Sequence, residues 1–342
     1  MKRSLALLCA LPIFVLVACG SNSKGAGGTL TRVDVDNIVV PTVWTANNVY
    51  VIPDGATVNV SAALTIQPGT VVKLGQDSEL YVHTGAQINA IGTAALPIVF
   101  TSLKDDLAGG DTNGDGPLSS PGGGDWSIIV VSGNQSTLSF CQFRYGDTGL
   151  QLNANNLTVS NNTFYANNTG LDASQPNLTG VSITGNLFYS NVVPVLTNSN
   201  YAVGSTNVFH YTQGAQSWSN TFQAIQVDGS IDVTTTWSNI EVAYTFNATG
   251  ATIDINAALT LTPGVVVKLG QGDGWTLTAG ATLNGFDTAI FTSLKDDSFL
   301  GDSNGDLAAS TPGAGDWDGI ADIRTPGPTL YLDGLNVYYA AN

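Results

Sequence analysis

Along most of the chain, apolar residues alternate with Thr, Asn, Ser and Gln over three to six positions and then stop at Gly, Pro, Asn or Asp. Thr57-Val58-Asn59-Val60 alternates, and so does Leu64-Thr65-Ile66 before the stop at Pro68-Gly69. Val49 to Ile52, Val71 to Leu74, Leu80 to Val82, Ala86 to Ile91 and Ile98 to Phe100 follow in the same manner. A period of two bounded by turn residues predicts short half-buried strands. No amphipathic helix of useful length is expected after the N-terminal region. The class is therefore all-β, and a sandwich or a solenoid would each satisfy the local pattern.

Longer-range order separates the two. Phe143, Phe164, Phe188 and Phe209 recur at spacings of 21, 24 and 21 residues. Polar turns precede three of them, at 160–163, 184–187 and 205–208. A sandwich gives no reason for phenylalanines in register, whereas a solenoid with one coil per repeat stacks them inside. The expected fold is a right-handed parallel β-helix, with Asn and Thr forming hydrogen-bonded ladders at the turns.

A second repeat overlies the first. LTIQPGTVVKLGQ (64–76) returns as LTLTPGVVVKLGQ (259–271), and FTSLKDD (100–106) returns at 291–297. GDTNGD (110–115) returns as GDSNGD (301–306), and PGGGDW ending at Trp126 returns as PGAGDW ending at Trp317. Shared order and spacing indicate two duplicated modules, 30–224 and 225–342. The second copy lacks the Asn/Phe coils. Its end would leave a strand edge exposed, to be met by another copy, by a covering loop or by disorder.

Lys2 and Arg3 precede an apolar run from Leu5 to Ala18, which ends at Cys19 and a Gly/Ser/Asn stretch. This has the form of a secretory signal and is short for a membrane span. Leu16-Val17-Ala18-Cys19 resembles the bacterial lipoprotein signal. That resemblance implies a signal peptide over 1–18, lipid on Cys19 and a tether over 19–29. The expected location is the bacterial cell envelope, at the outer membrane or cell surface, with the membrane as partner through the lipid. Cys9 leaves with the signal, so Cys141 would be the lone thiol of the folded part, with Phe140 and Phe143 as neighbours; a buried, inert role is expected.

Composition narrows the partners. Twenty-six acids against ten bases give a net charge of −16, and charged residues make up only 11%. Nucleic acid is excluded as a partner, since a polyanion needs clustered Lys and Arg. Divalent cations suit this charge. In Asp111-Thr112-Asn113-Gly114-Asp115-Gly116, oxygen side chains at alternate positions before a glycine resemble the start of a calcium loop. The second copy offers Asp302, Asn304 and Asp306, with Leu307 where the first has Gly116. Candidates to complete the shells are Asp105, Asp106 and Asp125, and Asp296, Asp297 and Asp316. No Glu stands at the twelfth position of either loop, which excludes a helix-loop-helix calcium hand. A solvated Asp/Asn/Gly turn is the competing reading. Trp126 and Trp317 are expected to anchor the loops on the coil below, with a sugar-stacking platform as the alternative.

Taken together, LTIQPGTVVKLG, PIVFTSLKDD, GGDTNGDG and PGGGDW resemble bacterial secreted or surface right-handed β-helix repeat proteins, from about Trp44 to the end. Polysaccharide lyases, adhesins and lipoproteins share this fold, so the resemblance implies architecture more than activity. A lyase needs a base beside calcium. Arg144 is the one arginine among the coils and the candidate for that role. Lys73 and Lys268 sit in the duplicated strand, and Lys104 and Lys295 precede the acid pairs. His83 and His210 lack the Gly-His-Gly context of polygalacturonase-like enzymes. The expectation is a non-catalytic surface protein with a structural, adhesive or glycan-binding role, in contact with polysaccharide or envelope components. The alternative is a calcium-dependent polysaccharide lyase with no catalytic residue other than Arg144 in view.

Overall fold

The computed structural model describes residues 30–247, 250–324 and 336–341. The signal, Cys19, the tether and the apolar segment 330–335 lie outside the described residues. Inside them the chain is a right-handed parallel β-helix. Successive strands turn around three faces, and each pairs with the strand one coil earlier and one coil later. The pairings between named strands are parallel except in one hairpin, Tyr211–Gln213 with Gln216–Trp218.

Three sheets carry the first copy. Sheet A has seven strands, from Thr31–Asp34 to Leu187–Tyr189, and sheet C has six, from Thr42–Trp44 to Ser182–Thr184. Sheet B has ten, from Thr57–Val60 to Ile290–Ser293, and runs unbroken through both copies. The strands adopt this arrangement because alternation gives each coil one apolar edge. In Thr57–Val60 and Ala63–Ile66, every second residue is buried and the others face out. An open sheet with that pattern must cover its apolar side, and coiling covers it with the other two faces.

Inside, like stacks on like. Phe100, Phe143, Phe164, Phe188 and Phe209 form one column, with ring centroids 5.1, 4.8, 4.9 and 5.2 Å apart. The expected phenylalanine register is thus present, and Phe100 extends it by one coil. Two asparagine ladders run beside this column, Asn162–Asn186–Asn207 and Asn167–Asn191–Asn220, all six residues buried. Asn191 shows the logic: its Nδ2 donates to Phe164 O at 2.9 Å and to Asn220 Oδ1 at 3.0 Å. Its Oδ1 accepts from the main-chain and side-chain nitrogens of Asn167. A turn buried in a solenoid must satisfy its backbone groups from neighbouring coils, and an amide side chain has both donor and acceptor for the task.

The second copy does not repeat the first face for face. Val71–Leu74 lies in sheet A, but its duplicate Val266–Leu269 lies in sheet B. Thr57–Val60 lies in sheet B, while its duplicate Thr252–Ile255 opens a separate three-stranded sheet with Gly274–Leu277 and Gly319–Asp322. The second copy is therefore turned by one face about the solenoid axis. Near its end, Val337 bridges to Phe291 and Ala340 to Trp317.

Candidate metal centre

Each copy carries one long loop after the strand that ends in Phe-Thr-Ser, namely Ile98–Ser102 and Ile290–Ser293. Each loop returns at a tryptophan. Trp126 and Trp317 are both fully buried, and their indole N–H groups donate to Arg144 O and Tyr338 O at 2.8 Å. They are anchors; no indole face is open to a sugar.

The acidic residues divide into two sets. Asp105 is turned inward, accepting from Thr101 Oγ1 at 2.6 Å and from the Arg144 guanidinium at 3.2 Å. Asp125 is held by Lys104 Nζ at 2.7 Å and by the Gly122 N–H at 2.9 Å. In the second copy Asp296 accepts from Thr292 and Ser298, and Asp316 from Lys295, Ser293 and Gly313. Asn113 donates to Ser119 Oγ, and Asn304 to Ser310 Oγ. These six side chains already have protein partners.

The remaining six converge. Asp106, Asp111 and Asp115 each offer a carboxylate oxygen, all within 4.8 Å of one another, and Asp297, Asp302 and Asp306 do the same. Asp111 folds the loop around itself, accepting from the N–H groups of Gly114 and Gly116 at 2.7 and 2.9 Å. Asp302 does so from Gly305 and Leu307 at 2.6 and 2.8 Å. Leu307 takes the same left-handed conformation as Gly116, with φ of 55° against 62°, so the substitution has left the turn intact. Asp106 Oδ1, Asp115 Oδ1 and Asp297 Oδ1 are buried with no hydrogen-bond partner, whereas Asp306, the counterpart of Asp115, accepts from Ala309, Ser310 and Asn304.

Beneath each cluster lies a lysine that alternation alone would place in solvent. Lys73 and Lys268 sit on outward positions of their strands, yet both are fully buried because the acidic loop crosses over them. Their ammonium groups donate to Gly110 O at 2.5 Å and Gly301 O at 2.6 Å. Burial lowers both lysine pKa values against the opposing pull of the nearby aspartates, and Lys268 comes down to about 8. The same burial, joined by the charges of Asp111 and Asp302, raises Asp106 and Asp297. Hydrogen bonds from Gly116 and Gly114 hold Asp111 low.

Lys104 offsets Asp125 and Arg144 offsets Asp105. Three carboxylates over one ammonium leave two negative charges uncompensated in the first cluster. Oxygen-only ligands, two excess charges and unpartnered buried oxygens fit a hard divalent cation.

Arg144 is held from three sides. Besides Asp105, its guanidinium donates to Gln142 and lies over the Tyr165 ring at 5.6 Å. It borders a groove of about 470 Å³ that also includes Val71, Leu96 and Leu107. Beyond it, Tyr165, Tyr189, Tyr211 and Trp218 stack outside the coil at 5.1, 5.0 and 5.6 Å. Within this column each ring covers a face of the next.

A family model described as a pectate-lyase-like beta helix domain matches residues 36–149, one third of the chain. That span includes the first acidic loop and Arg144. No curated protein and no solved structure matches the chain.

Proposed function

We propose that this chain is a non-catalytic cell-surface lipoprotein, a rigid β-helix whose two acidic loops hold structural calcium. Lipid on Cys19 would join it to the bacterial envelope, and its long faces would serve an adhesive or glycan-binding role. The observation that carries the calcium reading is the pair of matched clusters, each with three converging carboxylates over one buried lysine. A cation there would be bound by Asp106, Asp111 and Asp115, and by Asp297, Asp302 and Asp306. Its contribution is to neutralise carboxylates and fix a long loop against the coil. A scaffold reading also accounts for Arg144, whose contacts with Asp105, Gln142 and Tyr165 lock the loop base to sheet A.

One observation favours a second reading, a calcium-dependent polysaccharide lyase: Arg144 borders a groove and lies in the span matched by the pectate-lyase-like model. The test incubates the full chain with acidic and neutral polysaccharides, with calcium or chelator, and reads reducing ends and unsaturated products. The scaffold reading expects no cleavage, with retention of the chain on one or more immobilised glycans or envelope fractions. Calcium-dependent cleavage lost in Arg144→Ala would replace it with the lyase. Incorporation of labelled fatty acid that disappears in Cys19→Ser tests the anchor.

A further inference from the structure

The two acidic loops cross their sheets alike but end on different partners. Each runs back over the outer face of the sheet it leaves. In the first copy Gly109, at φ +75°, leaves only 2.7 Å between a Cβ and Val49, and Gly110 O meets Lys73. The loop ends near Thr31–Asp34, where the Arg32 guanidinium donates to Thr112 O. In the second copy Gly301 O meets Lys268, and the loop ends on main chain of the preceding copy. The Gln223 N–H donates to Asp302 O at 3.0 Å, and Ser303 Oγ donates to Gln223 O at 3.3 Å. Gly305, at φ +73°, packs where a Cβ would stand 3.3 Å from Thr221 and Phe222.

Gln223 is engaged on its other side as well. Its Oε1 accepts from Asn220 N at 2.9 Å, and its Nε2 donates to Phe209 O at 2.9 Å. It thus ends the asparagine ladder of the first copy while the loop of the second copy grips its backbone. Ala224–Asp228, which follows directly, pairs with Val193–Asn198 of the last first-copy coil and with Ala243–Phe246 of the second. By contrast Thr112, the counterpart of Ser303, has a buried hydroxyl without a partner.

We propose that the second acidic loop is the fastener of the joint between the two copies, acting through Gln223, and that a divalent cation in the loop tightens that joint. The second clause rests on the calcium reading above. Hydrogen exchange on the full chain, with calcium or chelator, separates the outcomes. With calcium, amides of 301–310 and of 219–228 exchange together more slowly, by roughly tenfold, because opening the joint requires releasing the loop. Slower exchange at 301–310 with no change at 219–228 would overturn the tightening while leaving calcium binding in place. No response at either segment would overturn the calcium reading, and the fastener then stands or falls on two variants compared in chelator. Ser303→Ala should speed exchange at 219–228 by roughly threefold or more, while Thr112→Ala in the first loop should leave 31–34 unchanged. Equal effects from the two, or none from Ser303→Ala, would overturn the fastener.

Discussion

Replacing Lys268 by Met removes a buried ammonium while keeping a chain of similar length and apolar character. Lys268 is fully buried, its Nζ is 2.6 Å from Gly301 O, and Asp297, Asp296 and Asp302 raise its pKa against the larger effect of burial. In the absence of calcium the ammonium is the counter-charge of the cluster. When calcium is bound it becomes a like charge beside a dication. At about 6 Å that repulsion is about 1.4 kcal/mol even with the dielectric of bulk water (~80), a tenfold factor in affinity, and it is larger for a buried group. Lys268→Met is therefore expected to bind calcium at the second loop at least about tenfold more tightly. In chelator its stability should hold or rise, because burial costs the ammonium more than the neighbouring aspartates return. Calorimetric titration gives the affinity, and thermal melts with and without calcium give the widened response. Lys295→Met is the control, because Lys295 pairs with Asp316 and is 43% exposed; its effect should stay within about threefold. A folded Lys268→Met variant with unchanged or weaker calcium affinity would refute the argument.

Three further outcomes follow from the same geometry. Lys268 falls from 10.5 to about 8 in the folded state, so between those values the unfolded chain binds more protons than the folded one. Stability in chelator should therefore rise from pH 8 towards pH 10, by up to roughly 2–3 kcal/mol at 1.36 kcal/mol per pH unit. Above pH 10 it should fall, because burial raises Tyr244 to about 12 and the folded chain then holds the extra protons. Denaturant melts across about pH 7.5–11.5 read both limbs, and a flat profile would contradict the first. Asn191→Ala removes the side-chain donor to Phe164 O and the acceptor of the Asn167 N–H inside the coil, while Asn220 Oδ1 keeps the Asn191 N–H and Asn167 Nδ2 keeps Phe143 O and Tyr165 O; it should cost about 2–4 kcal/mol in equilibrium unfolding. Leu307→Gly relieves a left-handed leucine that is 89% exposed, and should raise stability by about 0.5–1 kcal/mol, seen as a small increase in Tm.

The solenoid was readable because its interior repeats chemistry coil by coil. Phe143, Phe164, Phe188 and Phe209 keep their spacing in sequence because they must stack, and the polar turns before three of them hold the asparagines of one ladder. Trp126 was also readable as an anchor, from the apolar run Ile128 to Val131 that follows it, and Trp317 by the duplication. The burial of Lys73 and Lys268 was not. A period of two marks both as outward residues, and nothing local says that a loop some thirty residues later will lie over them. For the same reason the clusters are drawn partly from elsewhere than the Asp-x-Asn-x-Asp spacing suggests. Asn113 and Asn304 turn to serines, and Asp106 and Asp297 arrive from the start of the loop, on the turn where their neighbours Asp105 and Asp296 point inward. The turn of the second copy by one face was equally hidden, since a strand such as Val-Val-Lys-Leu fits any face that offers an apolar interior and a covered exterior. What would have pointed to the lysines is the duplication itself, which repeats Lys73 with the acidic loop as a pair.

The most direct measurement is a count of calcium by titration calorimetry on the full chain, alongside Asp106→Asn, Asp297→Asn and the double variant. The account predicts two calcium ions per chain, one lost with each single substitution and both with the double, and a Tm that falls in chelator only where a site remains. A chain that takes up no calcium, or whose binding is indifferent to Asp106 and Asp297, would contradict it.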